Sequence, residues 1–223
     1  MRSRPRYHYP TQGSHMSLSL VRGCALAAAA LLVLSSCHDS PTAAVDDGRA
    51  LADLHVLHVT YDYPQLATRE VSFWAVKGRA SGADLWYHAR AGAVDSAKFV
   101  EFRVGANALD RRPDGTAIAM GDSVQITLTA TDASHMRIAF QPSGLHFAAG
   151  SLPTLKIFWV ACGDDVNYDG AVDAADDAII SHFGIWRQET DGAPWFQLPS
   201  VVIKGYKEMD AQLEGFSGYI LAY

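Results

Sequence analysis

Val124-Gln-Ile-Thr-Leu-Thr129 alternates apolar and polar residues without a break. Side chains of an extended chain point alternately to opposite faces. This hexapeptide therefore offers Val124, Ile126 and Leu128 to a core and Gln125, Thr127 and Thr129 to water, the pattern of a half-buried strand. Related stretches occur at 71–76, 85–88, 99–104, 136–140 and 155–159. Turn signals separate them: Pro113-Asp114-Gly115, Gly121-Asp122 and Pro142-Ser-Gly144. No long helical period interrupts the series before residue 165. Short strands spaced in this way predict an all-β fold, an antiparallel sandwich or barrel.

Beyond the last of these strands the chain changes character. Residues 165–176 read Asp-Val-Asn-Tyr-Asp-Gly-Ala-Val-Asp-Ala-Ala-Asp. Asp165, Asn167 and Asp169 occupy positions 1, 3 and 5 of a calcium loop, with Gly170 at 6, Asp173 at 9 and Asp176 at 12. A hard cation takes six to eight oxygen ligands at about 2.3–2.6 Å, and this spacing supplies them from one continuous segment. Ala171, at 7, contributes its backbone carbonyl. Gly170 makes the sharp turn, and Val172, at 8, is expected to pin the loop to a core. Asp164, Asp165, Asp169, Asp173, Asp176 and Asp177 crowd together with no Lys or Arg among them. Such carboxylates raise one another's pKa unless a cation intervenes. The competing reading is a solvated Asp/Gly-rich turn.

Position 12 is Asp176, where a helix-loop-helix calcium hand carries a bidentate Glu. With Asp there and no entering helix, the stretch resembles the calcium loop of dockerin modules. Residues 177–183 then begin the short helix that leaves such a loop, with Ile179, Ile180 and Phe183 on one apolar face. A cohesin-binding dockerin has two loops in tandem, and this chain has one copy, so cohesin binding is not implied.

The region 120–223 carries a second resemblance. Gln141-Pro-Ser-Gly-Leu-His-Phe147 followed by Leu155-Lys-Ile157 is similar to a turn-and-strand pattern of the β-sandwich shared by zonula occludens proteins, netrin receptors and ankyrins, here called ZU-type. Pro153 and Leu155 stand one residue closer than that pattern. Segments 185–188, 195–200, 209–213 and 216–219 resemble its hairpin and closing strands. The resemblance implies a ZU-type antiparallel β-sandwich with an inserted calcium loop and one short helix. Some members of the family cut their own chain at a His-Phe-Ser step, the His serving as base and the Ser as nucleophile. This chain reads Gly215-Phe216-Ser217, so the base is missing and no self-cleavage is expected.

The N-terminus reads as an export signal. Residues 24–34 form an apolar run of h-region length, preceded by Arg22 and, further upstream, Arg2, Arg4 and Arg6. Leu34-Ser-Ser-Cys37 resembles the lipobox of bacterial lipoproteins, in which the Cys is lipidated and becomes the first mature residue; the alternative is cleavage elsewhere with a free Cys37. Gly13-Ser14-His15-Met16 looks like a cloning scar, or else an over-extended start with Met16 as initiator. The expected organisation is a lipoprotein signal at 1–36, a flexible tether at 37–50 and a β-sandwich at 51–223. His38 after Cys37 favours the outer membrane or cell surface over inner-membrane retention.

Residues 1–36 hold four Arg and no acid, so the remainder has 14 basic and 24 acidic residues. An acidic body argues against nucleic acid as a partner. Cys162 is left single, which excludes an internal disulfide in the mature form, and it reads as a buried small residue, its thiol pKa raised by acidic neighbours. His55 and His58, three apart on an extended segment, face opposite sides and share no metal. His135, His146 and His182 have no ligand spacing. Trp74, Trp86, Tyr87, Trp159, Trp186 and Trp195 are core residues or a carbohydrate platform. The combined reading is a lipid-anchored, exported, Ca2+-binding module with a structural or adhesive role through protein or glycan contacts, and no catalysis. A glycan-binding module and a calcium-dependent hydrolase are its rivals.

Overall fold

The computed structural model describes residues 48–92 and 95–223. The expected signal at 1–36, Cys37 and the tether as far as residue 47 lie outside the described residues. Among the described residues thirteen strands run in chain order: β1 (Glu70–Val76), β2 (Ser81–Trp86), β3 (Lys98–Val104), β4 (Leu109–Arg111), β5 (Ser123–Asp132), β6 (Arg137–Gln141), β7 (His146–Phe147), β8 (Thr154–Phe158), β9 (Gly184–Gln188), β10 (Trp195–Gln197), β11 (Ser200–Ile203), β12 (Glu208–Gln212) and β13 (Gly218–Ala222). The single α-helix among the described residues is α1 (Ala174–Ile180). The fold is all-β, and every strand pairing is antiparallel.

Two main sheets form. The six-stranded sheet has the order β1-β5-β6-β13-β9-β10 and the five-stranded sheet β11-β12-β8-β3-β2, while β4 and β7 make a small ribbon. β5 follows the alternation that predicted it: Val124, Ile126, Leu128 and Ala130 are buried, whereas Gln125 is exposed. In β3 the bulge opposite Leu85 and Trp86 inserts an extra residue, so both Phe99 and Val100 turn inward. The sheets share one core. Phe102 of β3 is fully buried against Phe73 of β1, Phe140 of β6 and Phe216, with ring centres 6.3, 4.6 and 5.7 Å apart.

A smaller apolar cluster of Leu54, Trp186, Trp195, Ile220 and Ala222 covers the other face of the six-stranded sheet near β13. His55 and Tyr223 exchange both backbone bonds, at 3.0 and 3.1 Å, which lays this incoming segment along the end of β13. The last residues of the expected tether are already docked, since Arg49 exchanges two 2.8 Å backbone bonds with Trp195 at the open edge of β10. Pairing at that edge satisfies donors and acceptors that would otherwise face water. No helix among the described residues is long and apolar enough to cross a membrane.

Candidate metal centre

β8 belongs to the five-stranded sheet and β9 to the six-stranded one, so the chain between them is a crossover. The acidic loop lies within it. Trp159 opens the crossover and Phe183 closes it, and their rings meet edge to face at 5.4 Å. Ala161 and Cys162 are buried in the short turn that follows Trp159. Burial pushes the Cys162 thiol up to about 12, against a lowering pull from Lys207. Acidic neighbours were expected to do this; removal from water does it instead.

The loop is wound on its own hydrogen bonds. Asp165 draws across it, its Oδ1 and Oδ2 accepting the N–H groups of Asp169 at 3.2 Å and Gly170 at 2.9 Å. Asn167 Oδ1 also accepts from the Asp169 N–H at 3.0 Å, and Asn167 Nδ2 donates to Asp169 Oδ2 at 3.0 Å. Asp169 Oδ1 accepts from Ala171 N–H at 2.8 Å. Gly170 has φ +90°, and a Cβ there would meet no atom within 4 Å. Its glycine is thus required by backbone conformation, not by crowding.

Asp173 and Asp176 serve the helix as well as the loop. Asp173 Oδ1 accepts from Ala175 N–H at 2.7 Å, and Asp176 Oδ2 accepts from Asp173 N–H at 2.9 Å, a reciprocal capping box. Asp176 Oδ1 reaches back to the N–H groups of Val166 at 2.8 Å and Asn167 at 3.3 Å. Asp176 is 1% exposed. The Asp173 N–H, with those of Val166 and Asn167, holds its carboxyl below the usual range, although burial pulls the other way. The helix starts inside the loop, at Ala174, earlier than the expected 177, because this box supplies its N-terminal acceptors. Ile180 and Phe183 are buried beneath it.

Val172 does not pin the loop; it is 68% exposed. Val166, at position 2, is fully buried and does so. Asp173 and Asp176 turn the chain into α1 immediately after Val172, which carries that side chain outward. Tyr168 makes the second anchor. It sits at φ +60°, accepts the His58 N–H on its hydroxyl at 3.0 Å and donates to the His58 carbonyl at 3.3 Å.

The charges divide unevenly. Lys207 pairs with Asp164 at 2.7 Å, and Lys204 pairs with Asp177. These are the two flanking acids. Among the described residues no ion pair involves Asp165, Asp169, Asp173 or Asp176. Nor do any three His, Cys, Asp or Glu side chains among them converge as a metal cluster requires. The loop's oxygens are shared with backbone N–H groups. A carboxylate has about four lone-pair sites, so one such bond per oxygen leaves acceptor capacity. Asp165, Asn167 and Asp169, the Ala171 carbonyl and the outer oxygen of Asp173 form an all-oxygen set, which fits a hard cation in chemistry and in charge. Asp176, taking three N–H groups, is the clasp that closes the loop.

Beside the loop lies a cleft of about 580 Å³, lined by His55, His58, Asp132, His135, Arg137, Tyr168 and Tyr223 among others. His55 stacks on Tyr223 and His58 meets His135, so the two histidines of the 55–58 step keep different company within one cleft. Asp132 Oδ2 holds His135 Nδ1 at 2.7 Å. Burial pushes the Asp132 carboxyl up, but the bonds from Ser134 and His135 prevail and hold it below its usual value. A carboxylate–imidazole dyad orients a general base when a nucleophile meets the far ring nitrogen. Here the Ser134 hydroxyl contacts Asp132 at 2.6 Å and the same Nδ1 at 3.2 Å, which is the wrong side for attack. At the 215–217 step, Ser217 Oγ accepts from Arg187 Nε at 3.0 Å, a permanent cation and no base. Of the six candidate platform aromatics, Tyr87, Trp159, Trp186 and Trp195 are buried. Trp74 and Trp86 are exposed but belong to different sheets, so they make no common row.

No family model, curated protein or solved structure matches this chain.

Proposed function

We propose that this chain is an exported, lipid-anchored β-sandwich of the ZU type in which Ca2+, held by Asp165, Asn167, Asp169, the Ala171 carbonyl and Asp173, braces the crossover between the two sheets. Asp176, the position-12 ligand, closes that loop and completes the set with the acceptor capacity that its three N–H bonds leave. The role is structural or adhesive, without catalysis, and its partners are the membrane through the lipid on Cys37 and a protein or glycan at the cell surface. One observation carries the metal reading: two lysines neutralise the flanking Asp164 and Asp177, while the acids at loop positions 1, 5 and 9 have no cationic partner among the described residues. A divalent cation answers that imbalance. The strand order is compatible with the sandwich, because the 142–147 turn leads through β7 into β8 as the resemblance implies. Melting curves of the full chain in Ca2+, in Mg2+ and in chelator test the proposal. It expects a Ca2+-specific rise, and superimposed curves would sink it.

A further inference from the structure

We infer that His58 and His135 form a second metal site, for a divalent transition ion of the zinc class, opening onto the cleft beside the acidic loop. The inference is independent of the calcium reading, because these are nitrogen ligands and the loop offers oxygen. The two imidazoles come from distant parts of the chain and their ring centres are 4.6 Å apart. Two imidazole nitrogens on one tetrahedral zinc, each about 2.0–2.1 Å from it, bring their ring centres to about 5 Å. The spacing on the page is therefore close to that of a shared ion.

The second support is the Asp132 bond to His135 Nδ1 at 2.7 Å. A carboxylate on one ring nitrogen fixes the tautomer, raises ligand basicity and leaves the other nitrogen's lone pair for a metal. His135 is itself positioned by the turn it ends, where Asp132 also accepts the backbone N–H groups of Ser134 and His135. His58 is set by the two backbone bonds from Tyr168, and its ring nitrogens carry no hydrogen bond to a described residue. Its ring stands edge-on to those of His135 and Tyr168, at 70° and 65°, so holding the ion requires it to turn a nitrogen toward that of His135. No third His, Cys, Asp or Glu among the described residues completes the set. The remaining positions fall to water or to a donor group entering the 580 Å³ cleft. An ion with open positions in a cleft is the arrangement by which zinc holds an exogenous ligand.

Calorimetric titration of the full chain with ZnCl2, in about 10 mM Ca2+ to occupy the acidic loop at the affinity expected of it, tests this. A heat assigned to one ion per chain is expected, weakened at least tenfold in His58→Ala and in His135→Ala. Asp132→Asn, which keeps the shape but not the orienting charge, is expected to weaken it by about tenfold. His55→Ala and Asp165→Asn are expected to leave it unchanged, and circular dichroism checks that each variant is folded. Equal zinc binding by the native chain and the folded His58→Ala/His135→Ala double variant would overturn the inference, as would loss of zinc binding in Asp165→Asn alone.

Discussion

Replacing Asp165 with Asn isolates the loop's charge from its shape. Asp165 accepts two backbone N–H groups, one on each oxygen. Asn keeps one acceptor, so one hydrogen bond is lost, at about 0.5–1.5 kcal/mol in metal-free buffer. The effect on calcium is larger. Sites of the extracellular kind bind at about 10⁻⁴–10⁻³ M. At 10 mM Ca2+ such a site stabilises the folded state by about 1.4–2.7 kcal/mol through mass action. In a domain of this size each kcal/mol moves Tm by about 2–4 °C, giving a rise of about 3–11 °C for the native chain. Differential scanning calorimetry with 10 mM CaCl2, 10 mM MgCl2 and chelator reads it directly. The native chain should show the rise in Ca2+ alone, and Asp165→Asn should start slightly lower and show almost none. If Asp165→Asn gains as much from Ca2+ as the native chain does, the loop is not the site.

Three further outcomes follow from other parts of the molecule. Asp176 has a carboxyl held below its usual value in the folded state, so its contribution is present above the unfolded value of about 3.9 and is lost as pH falls through the folded one. Protection of the Val166 and Asp173 amides from exchange, taken relative to the intrinsic rate at each pH, should fall on acidification below about pH 4, and Asp176→Asn should show that lower protection already at pH 7. On the five-stranded sheet, Lys156 lies between Glu208 and Asp210, a pair in which burial and Glu208 push Asp210 up while the Lys156 bond overcomes burial to hold Glu208 down. Lys156→Met strands that pair and should cost about 1–3 kcal/mol in urea denaturation, below the cost for a fully buried pair because Lys156 and Asp210 are partly exposed although Glu208 is buried. Phe102→Ala empties the centre of the aromatic cluster and should cost about 3–5 kcal/mol by the same assay, whereas Val201→Ala, 62% exposed, should stay within about 0.5 kcal/mol.

Strands with one wet face were legible from alternation, and those buried on both sides were not. β5 shows the first case. β13 shows the second: Tyr219, Ile220, Leu221 and Ala222 are all buried, because the cluster around Leu54 and Trp186 covers the face that would otherwise meet water. Such a strand has no period to read. The two-residue β7 and three-residue β4 are too short to carry one. The self-bonded acidic loop was legible because its Asp, Asn and Gly positions lie in one short segment and its spacing is local. What spacing could not show is which apolar residue anchors it, since Val166 and Val172 are equally apolar and the entry into α1 decides between them. The His58–His135 contact was invisible for another reason. The sequence places His58 three residues from His55, and only the turn ending at His135 brings the actual neighbour.

The physics also limits what calcium would do at the proposed site. The two sheets share a core that includes Phe102, Phe140, Leu155 and Ile157, to which the loop adds the one side chain of Val166. Unpaired carboxylates in an exposed loop repel by about 1 kcal/mol per close pair in water, and salt screens much of that. Such a penalty is small beside a core of this kind, so the fold does not wait for the ion as a zinc finger does. The proposed ion would act on the part of the crossover between Trp159 and Phe183. That part includes Tyr168, held at a positive φ that costs a non-glycine residue about 1–3 kcal/mol. Two bonds to His58 offset the strain, and they reach from the loop into the histidine cleft. Both bonds are made by the His58 backbone, so they tie the loop to the chain at the edge of the cleft and leave the His58 ring outside the loop's own bonding.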